Sequence, residues 1–270
     1  MKTFGLIGYP LSHSFSPNYF ARKFKVEKIS GAEYTVFPLK KIEDFNVFIE
    51  QNPSLTGLNV TIPYKETIIP YLNKLDSVSK KIGAVNCIKI LKTNPQNNSE
   101  TPFLSGYNTD VWGFEKSLLK YLKQDHKKAL ILGTGGSSKA VCFVLEKLNI
   151  DFFFVSRKTS SSKYNESQNF PTLKSDYIIG YDDLNENIIS ESALIINCTP
   201  LGMFPKVEKA PPLPYHFLSS SHLLFDLIYN PQETLFLKKG REQSATTVNG
   251  MEMLKLQADK SWEIWNSPDI

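Results

Sequence analysis

Short apolar runs alternate with amphipathic stretches along the whole chain, a pattern typical of an α/β protein. The runs with the length and composition of buried strands are residues 4–7, 33–38, 57–62, 83–90, 129–132, 152–155, 194–197 and 223–227. Helical spacing of apolar residues is evident over 111–124, and again after Asn249-Gly250, where Met251, Leu254 and Trp262 share the apolar positions. Polar segments predict a hairpin tip at 92–102 and long loops at 159–175 and 203–214. A domain boundary is expected near residues 108–127.

The most informative segment is residues 129–140, where an apolar strand runs directly into a glycine-rich turn that opens a helix. The turn comprises Gly133, Thr134, Gly135, Gly136 and Ser137. Gly133 permits the positive φ of a tight turn, Gly135 lets the backbone approach a pyrophosphate, and the helix N-terminus attracts phosphate. A glycine turn alone is equally typical of a flexible loop. Ser138 takes the third small-residue position, so helix packing there is expected to be looser or shifted toward Ala140.

The residues that follow the next strand decide which dinucleotide is expected. Residues 151–155 read as a second parallel strand, and Ser156, Arg157 and Lys158 come directly after it. An NAD site would have an acid here, whereas guanidinium and ammonium groups suit the 2′-phosphate of NADP. The sequence therefore predicts NADP rather than NAD. The competing interpretation is that the two cations merely begin the polar loop and stay solvated.

Length and charge limit the possible functions. The chain has 270 residues, 41% of them hydrophobic, which is enough for two modest cores. Its formal net charge of +4 is small and dispersed, with no basic run interleaved with aromatic residues. Nucleic-acid binding is therefore not expected, and the mild positive bias suits small anionic ligands.

Cysteine usage and hydropathy indicate the compartment. Cys87, Cys142 and Cys198 are odd in number and far apart, so neither a disulfide framework nor a metal site is predicted. No apolar stretch approaches the length of a membrane span or of a signal sequence. These features favour a cytoplasmic protein without membrane association.

Several further motifs together resemble the shikimate dehydrogenase family over nearly the whole chain. In the first half they are Gly8-Tyr9-Pro10-Leu11-Ser12-His13-Ser14-Phe15-Ser16-Pro17, Asn59-Val60-Thr61-Ile62-Pro63-Tyr64-Lys65, Gly83-Ala84-Val85-Asn86 and Gly106-Tyr107-Asn108-Thr109-Asp110. In the second half they are Gly133-Thr134-Gly135-Gly136, Asn197-Cys198-Thr199-Pro200-Leu201-Gly202-Met203, Asp226-Leu227-Ile228-Tyr229-Asn230-Pro231 and Asn249-Gly250-Met251-Glu252-Met253-Leu254. The departures from the family pattern are Ser156, where Asn is common, and Cys87 and Cys198, where Thr or Ser is common.

The resemblance implies a two-domain α/β fold with a cleft between the domains. Residues 1–110, completed by the C-terminal helix at 250–270, form the expected substrate-binding domain, and residues 111–249 form a Rossmann-like NADP-binding domain. It also implies the activity: NADP-dependent, reversible reduction of 3-dehydroshikimate to shikimate, a step in aromatic amino-acid biosynthesis. A monomer or homodimer is expected.

The reaction needs a proton donor beside a ring ketone, and a lysine ammonium can both release a proton and stabilise alkoxide charge. Lys65 fits this role because it follows a strand exit, although a lone lysine is usually a solvated surface residue. By resemblance, Lys65 is the acid/base and Asp110 its partner, which also holds a substrate hydroxyl.

The resemblance also assigns the binding residues. Those for the substrate are Ser14, Ser16, Thr61, Lys65, Asn86, Asp110, Tyr229 and Gln257. Those for NADP are the turn residues 133–137 together with Ser156, Arg157, Lys158, Thr199, Leu227 and Gly250. Ser14 and Ser16 are spaced like same-side residues of an extended segment, so both hydroxyls can reach one carboxylate. Without the resemblance, a serine-rich turn that caps a helix near Ser16-Pro17 is equally consistent.

Alternative functions remain open. A quinate/shikimate dehydrogenase that uses NAD shares the fold and the Lys65–Asp110 pair, but Arg157 and Lys158 argue against NAD. A non-catalytic binder on the same scaffold is disfavoured because both Lys65 and Asp110 are retained. His13, between two serines, invites a hydrolase reading, but no nucleophile elbow or triad context accompanies it.

Overall fold

The computed structural model describes residues 1–11, 14–92, 101–157 and 178–268. The chain divides into two compact units. Unit 1 consists of Met1–Thr109 with Ala258–Ile270, and unit 2 consists of Asp110–Gln257. Residues 250–257, which the sequence places with the first domain, belong to unit 2, so the chain changes unit inside its last helix.

Unit 1 is built on a mixed sheet. Its strands are β1 (Lys2–Gly8), β2 (Ala32–Pro38), β3 (Leu55–Val60), β4 (Lys74–Leu75), β5 (Cys87–Leu91) and β6 (Phe103–Tyr107). Its helices are α1 (Ser16–Val26), α2 (Phe45–Gln51) and α3 (Ser77–Ile82), joined by the C-terminal half of α8 (Met251–Asn266). The strand order is β2-β1-β3-β5-β6-β4.

The strand directions bring several loops to one edge of this sheet. Strands β2, β1 and β3 are parallel, and β5 pairs with β3 in the antiparallel sense. Cys87 at the start of β5 pairs with Asn59 near the end of β3 and with Tyr107 at the end of β6. The segments that follow β1, β3 and β6 and the segment that precedes β5 therefore meet at the same edge.

Both faces of the unit 1 sheet are covered. One face packs aliphatic residues, Ile7, Leu58 and Ile88 among them, with the α2 residue Phe45. The other face is aromatic: Phe4 stacks on Trp265 of α8 with ring centroids 4.9 Å apart. The Trp265 indole Nε1 donates a hydrogen bond to the Ile88 carbonyl oxygen over 3.0 Å. The end of α8 is thus part of the unit 1 core.

Unit 2 has an all-parallel sheet with the order β12-β11-β10-β7-β8-β9. The strands are β7 (Lys128–Leu132), β8 (Asp151–Ser156), β9 (Ile178–Gly180), β10 (Leu194–Asn197), β11 (Leu223–Asp226) and β12 (Thr246–Val248). The helices are α4 (Thr109–Leu118), α5 (Gly136–Lys147), α6 (Glu186–Glu191) and α7 (Leu235–Glu242), with the first half of α8. Since the chain moves outward from β7 in one direction and then returns to build β10 beside it, the topological switch lies between β7 and β10.

The α/β class predicted from the sequence is confirmed, and most predicted runs fall on strands. Two predicted elements differ most in extent: the strand at 83–90 begins only at Cys87, and the helix at 111–124 is α4, which ends at Leu118. The predicted loop at 203–214 has no helix or strand, whereas the predicted hairpin tip and the loop at 159–175 lie largely or wholly outside the described residues. None of the helices in the described part of the chain combines the length and the hydrophobicity that a membrane-spanning segment requires.

Candidate active site

The loop that carries Lys65 is held firmly to the unit 1 sheet. After β3, the Thr61 amide donates to the Ile7 carbonyl oxygen over 2.9 Å, and the Tyr64 amide donates to the Thr61 carbonyl oxygen over 2.9 Å. The buried Tyr64 side chain reaches further, and its hydroxyl donates to the Leu39 carbonyl oxygen over 2.7 Å. Burial raises the Tyr64 pKa, so this hydroxyl keeps its proton. The backbone of residues 61–64, which leads into Lys65, is therefore held in place by hydrogen bonds.

A second segment is tied to this loop. The Val85 amide donates to the Lys65 carbonyl oxygen over 2.7 Å, which places residues 83–86 beside the lysine. Asn86 is buried, and its Oδ1 accepts from the Thr109 amide over 2.6 Å and from the Thr109 hydroxyl over 3.2 Å. Asp110 follows Thr109 directly as the second residue of α4 and is 8% exposed. Asn86 thus fixes the start of the helix on which Asp110 lies.

A neutral polar network lies behind Asn86 in unit 1. The Tyr34 hydroxyl donates to Asn59 Oδ1 over 2.9 Å, and Asn59 Nδ2 donates to Ser261 Oγ over 2.9 Å. Ser261 Oγ lies 3.2 Å from Thr109 Oγ1. Asn59, Asn86, Thr109 and Ser261 are all less than 5% exposed. These hydrogen bonds from Tyr34 to Thr109 join uncharged groups, and they hold this part of the strand edge in place.

Ser14 and Ser16 do not lie on a common extended segment, which corrects the geometric argument made from their spacing. Phe15 has helical backbone angles, φ −71° and ψ −39°, and Ser16 is the first residue of α1. Ser14 Oγ donates to the Leu11 carbonyl oxygen over 3.0 Å, as in a turn. The two serines flank the entry to α1, which is the turn-and-helix arrangement.

The glycine turn of unit 2 stands at the topological switch, directly after β7. Gly133 has φ +92°, and a Cβ atom there would lie 2.8 Å from Thr199 Cγ2. Gly135 caps α5 with an extended backbone, and a Cβ atom there would have no heavy atom within 4 Å. The turn therefore needs glycine at 133 and leaves open space at 135, beside the N–H groups that begin α5. Ser138 is fully buried, and its Oγ donates to the Gly135 carbonyl oxygen over 2.6 Å.

Ala140 is 1% exposed, so the buried face of α5 includes it together with Ser138 and its hydroxyl. The hydroxyl is tolerated because the turn itself supplies an acceptor. Gly136 and Ser137 are the first two residues of α5.

The basic residues after β8 are described only in part. Ser156 is the last residue of β8, and the Arg157 that follows is exposed at the carboxyl end of the sheet. Lys158 lies outside the described residues. The Arg157 charge lowers the pKa of Tyr181, although burial has the larger effect and leaves that pKa raised to about 12. The guanidinium therefore lies near the ends of β8 and β9, the neighbouring strands of the sheet.

The remaining predicted residues of unit 2 follow the other strands. Thr199 comes two residues after β10, and the Leu227 amide, directly after β11, donates to the Asn197 carbonyl oxygen over 3.1 Å. After β12, the Gly250 amide donates to the Ile228 carbonyl oxygen over 2.9 Å. The segments that leave β10, β11 and β12 are thus joined by backbone hydrogen bonds.

Two predicted substrate residues belong to the same unit. Tyr229 is half-buried, and burial raises its pKa. Gln257, in α8, is 7% exposed and packs beside Gly113 of α4.

A buried carboxylate at this edge was not among the predicted site residues. Asp226, the last residue of β11, is 0% exposed. Its Oδ1 accepts from Asn197 Nδ2 and from the Ile228 amide, each over 3.0 Å, and its Oδ2 accepts from the Thr234 hydroxyl over 2.6 Å. These donors lower the pKa, but burial dominates and raises the Asp226 pKa to about 7.

The sequence carried a signal for these additional polar residues. Asp226 ends an apolar run, Asn197 ends another, and Asn59 interrupts a third. A polar residue embedded in a buried strand must find hydrogen-bond partners, which marks it as part of a network. Ser261 gives no such signal because serine is common on helices.

The residues present suit a dinucleotide. An open glycine turn at the switch of a parallel sheet, with an arginine after the next strand, can hold a pyrophosphate and a ribose phosphate. Among the described residues, no group of three or more His, Cys, Asp or Glu side chains is arranged to hold a metal ion. The same chain also contains unit 1, which has a lysine at its strand edge. Together, the dinucleotide site of unit 2 and this lysine define a nicotinamide-dependent dehydrogenase.

Comparison with known proteins narrows this class. Residues 6–88 match the family model described as the shikimate dehydrogenase substrate binding domain. The NADP(+) shikimate dehydrogenase of Methanosphaera stadtmanae is 38% identical over 266 residues, which cover 97% of this chain and 90% of the relative. That of Clostridium beijerinckii is 39% identical over 272 residues, which cover 98% and 92%. The chain belongs to the shikimate dehydrogenase family.

Solved structures agree over the whole chain. A chorismate mutase/shikimate 5-dehydrogenase fusion protein from Clostridium acetobutylicum is 34% identical, with a TM-score of 0.81 and coverage of 100% of this chain and 93% of that one. A shikimate dehydrogenase solved in complex with NADP+ is 31% identical, with a TM-score of 0.80 and coverage of 100% and 91%.

Proposed function

We propose that the protein is an NADP-dependent shikimate dehydrogenase that reversibly reduces 3-dehydroshikimate to shikimate. The observation that carries this proposal is the fixed strand edge of unit 1. There the Val85–Lys65 hydrogen bond holds the lysine loop against the segment of Asn86. The full-length relatives are named as enzymes of this specificity, and the glycine turn of unit 2 suits the cofactor.

Lys65 is the proposed acid/base. In the reducing direction its ammonium donates a proton to the oxygen that forms at the former ketone, and it stabilises negative charge there as that charge develops. A fixed backbone on both sides of Lys65 limits the positions that its side chain can take. NADPH, when bound, supplies the hydride. Asp110 is assigned to hold the Lys65 ammonium and a substrate hydroxyl, since Asn86 fixes the start of its helix.

The substrate has a carboxylate and several hydroxyl groups, each of which needs a polar partner. Ser14 and Ser16 bind the carboxylate in this proposal, and the hydroxyls are bound by Thr61, Asn86, Asp110, Tyr229 and Gln257. The arrangement around α1 supports the serines, because a helix N-terminus favours an anion.

NADP binding is assigned to unit 2. The turn residues 133–137 bind the pyrophosphate, and Ser156, Arg157 and Lys158 bind the ribose 2′-phosphate. Thr199, Leu227 and Gly250, at the segments that leave β10, β11 and β12, complete the proposed NADP-binding residues. We further propose that the protein works in the cytoplasm as a monomer or homodimer, without nucleic acid or membrane partners.

The test is a steady-state assay of the purified protein with shikimate and quinate, each against NADP+ and NAD+. The proposal expects shikimate with NADP+ to give the largest kcat/KM of the four combinations. Greater efficiency with quinate and NAD+ would support a quinate/shikimate dehydrogenase instead. Absence of turnover with all four pairs would contradict the enzyme assignment. Sedimentation velocity would report the oligomeric state.

A further inference from the structure

Three loops of unit 2 meet at one buried side chain that the proposed reaction does not use. Asp226 accepts hydrogen bonds from Asn197, from the Ile228 amide and from Thr234. These donors lie at the end of β10, in the segment after β11 and at the N-terminus of α7. Each of the three side chains involved is at most 1% exposed.

The first connection continues to the turn that packs against the glycine loop. Asn197 Nδ2 donates to Asp226, so its Oδ1 is directed the other way, where it accepts from the Thr199 amide over 3.0 Å and from the Thr199 hydroxyl over 2.7 Å. The Thr199 oxygen in turn accepts from the Leu201 amide over 3.2 Å. The Thr199 methyl group is the one that a Cβ atom at Gly133 would strike.

The donors and acceptors around Asn197 determine which way its side-chain amide points. A carboxylate only accepts, so it orients the Asn197 amide with its nitrogen inward and its oxygen toward Thr199. A partner that could donate as well as accept would allow the Asn197 amide group to rotate by 180°. The Thr199 amide and hydroxyl would then lose their common acceptor, Asn197 Oδ1.

We propose that Asp226 is a positioning residue for NADP: through Asn197 it orients the Thr199 turn, and so sets the shape of the cofactor site beside the glycine loop. This inference rests on the proposed function for the identity of the cofactor. The second connection supports it, since the Ile228 amide is bound to Asp226 while the Ile228 carbonyl oxygen accepts from Gly250. One carboxylate thus fixes the segments after β10, β11 and β12.

The experiment is a double-mutant cycle on cofactor affinity, read by direct titration of NADP+ in the absence of substrate at pH 8. The variants are Asp226→Ala, Asn197→Ala and the double variant. If Asp226 acts through Asn197, each single variant raises the Kd for NADP+ about tenfold, and the double variant also raises it about tenfold rather than a hundredfold. The value of kcat at saturating NADP+ changes less than threefold.

A matched control separates positioning from loss of stability. Ile189→Ala removes buried side-chain volume near the amino end of β11, where the Ile189 carbonyl oxygen contacts His222, and it leaves the Asp226 hydrogen bonds intact. Its Kd for NADP+ is expected to equal that of the wild type. Thr234→Val breaks only the α7 connection and is expected to change the Kd less than twofold.

Asp226→Asn provides a second route if Asp226→Ala does not fold. It removes the charge and keeps one oxygen, and a rise in Kd without a fall in melting temperature at pH 8 supports positioning. An unchanged Kd in the Asp226 variants, additive losses in the cycle, or an equal rise in Ile189→Ala would overturn the inference. NADP+ binding without shikimate turnover would contradict the proposed function alone, and no NADP+ binding by the wild type would overturn both.

Discussion

The loops at the strand edges of the two units are held in place by different kinds of polar group. In unit 1, the loops around Lys65 are fixed by a network of neutral groups that includes Asn59, Asn86 and Ser261. In unit 2, the loops are fixed by the single carboxylate Asp226. A buried neutral network holds its geometry at every pH, whereas a buried carboxyl group changes its charge near its own pKa. The hydrogen bonds that hold the candidate substrate edge are therefore expected to be insensitive to pH, and those that hold the candidate cofactor edge are expected to be sensitive.

The largest expected effect concerns the pH dependence of stability. Burial raises the Asp226 pKa in the folded protein to about 7 from an ordinary value of 3.8. The native state therefore binds the proton more tightly than the unfolded state, and this contribution to stability is full below about pH 4 and lost as pH rises through 7. Relative to Asp226→Asn, the wild type should lose at most about 4 kcal/mol of unfolding free energy between pH 4 and pH 8. Urea denaturation of both proteins at each pH measures the difference, and parallel curves would contradict it.

Loss of Lys65 should have nearly as large an effect, on rate rather than on stability. Lys65→Ala removes transition-state charge stabilisation of roughly 3–4 kcal/mol, so kcat should fall on the order of 10²–10³-fold. The KM for shikimate should change far less. Lys74→Ala, which removes an exposed lysine on β4, is the control and should retain the wild-type kcat. A near-normal kcat in Lys65→Ala would remove this lysine from the mechanism.

The neutral network of unit 1 can be broken at its centre. Asn59→Leu removes the acceptor of the Tyr34 hydroxyl and the donor to Ser261, which should cost about 2–3 kcal/mol of stability. That loss should be the same at pH 5 and pH 8, as judged by urea denaturation. Asn59→Asp sharpens the comparison, because it introduces into unit 1 the buried carboxyl group that unit 2 already has. Its destabilisation should grow as pH rises, and a constant penalty would show that the site is not dry enough to shift a pKa.

The smallest effect is expected at the exposed Arg157. Arg157→Ala removes one charge-assisted contact to the 2′-phosphate, so the KM for NADP+ should rise about tenfold, or about 1.4 kcal/mol, while the KM for NAD+ stays nearly unchanged. Lys128→Ala removes a cation at the amino end of β7 and serves as the control. Equal increases for both cofactors would contradict the 2′-phosphate assignment.

The hydrophobic pattern predicted the strands in the middle of the unit 2 sheet correctly. The run at 194–197 coincides with β10, because a strand buried on both faces is apolar at every position. The short strands β9 and β12, at the two ends of that sheet, have three residues each and left no distinct pattern.

The apolar run at 83–90, predicted as one strand, contains a loop before β5 begins. Gly83 ends α3 with φ +63°, and the residues up to Asn86 form the loop tied to Lys65 before β5 begins. Burial of this loop keeps its residues as apolar as those of a strand.

The candidate site was predictable as motifs but not as a network. The glycine turn, Lys65 and Arg157 each have a local signature, since their position after a strand fixes where they lie. The hydrogen bonds from Asn59 to Ser261 and from Asn197 to Asp226 join residues that are 202 and 29 positions apart. Such pairings depend on the register of strands and on helix docking, which no local pattern specifies.

Helix α8 has a consequence for the order in which the chain acquires structure during translation. Residues 110–257 are all present before Ala258–Ile270 has been synthesised, yet unit 1 needs that last segment. Until Trp265 leaves the ribosome, Phe4 lacks its stacking partner and the Ile88 carbonyl oxygen lacks its indole donor. Unit 1 therefore keeps an uncovered aromatic face until the last segment of the chain docks, whereas unit 2 needs no residue beyond 257. A premature stop near position 257 would leave that face exposed permanently and make the product a target for chaperones and proteases.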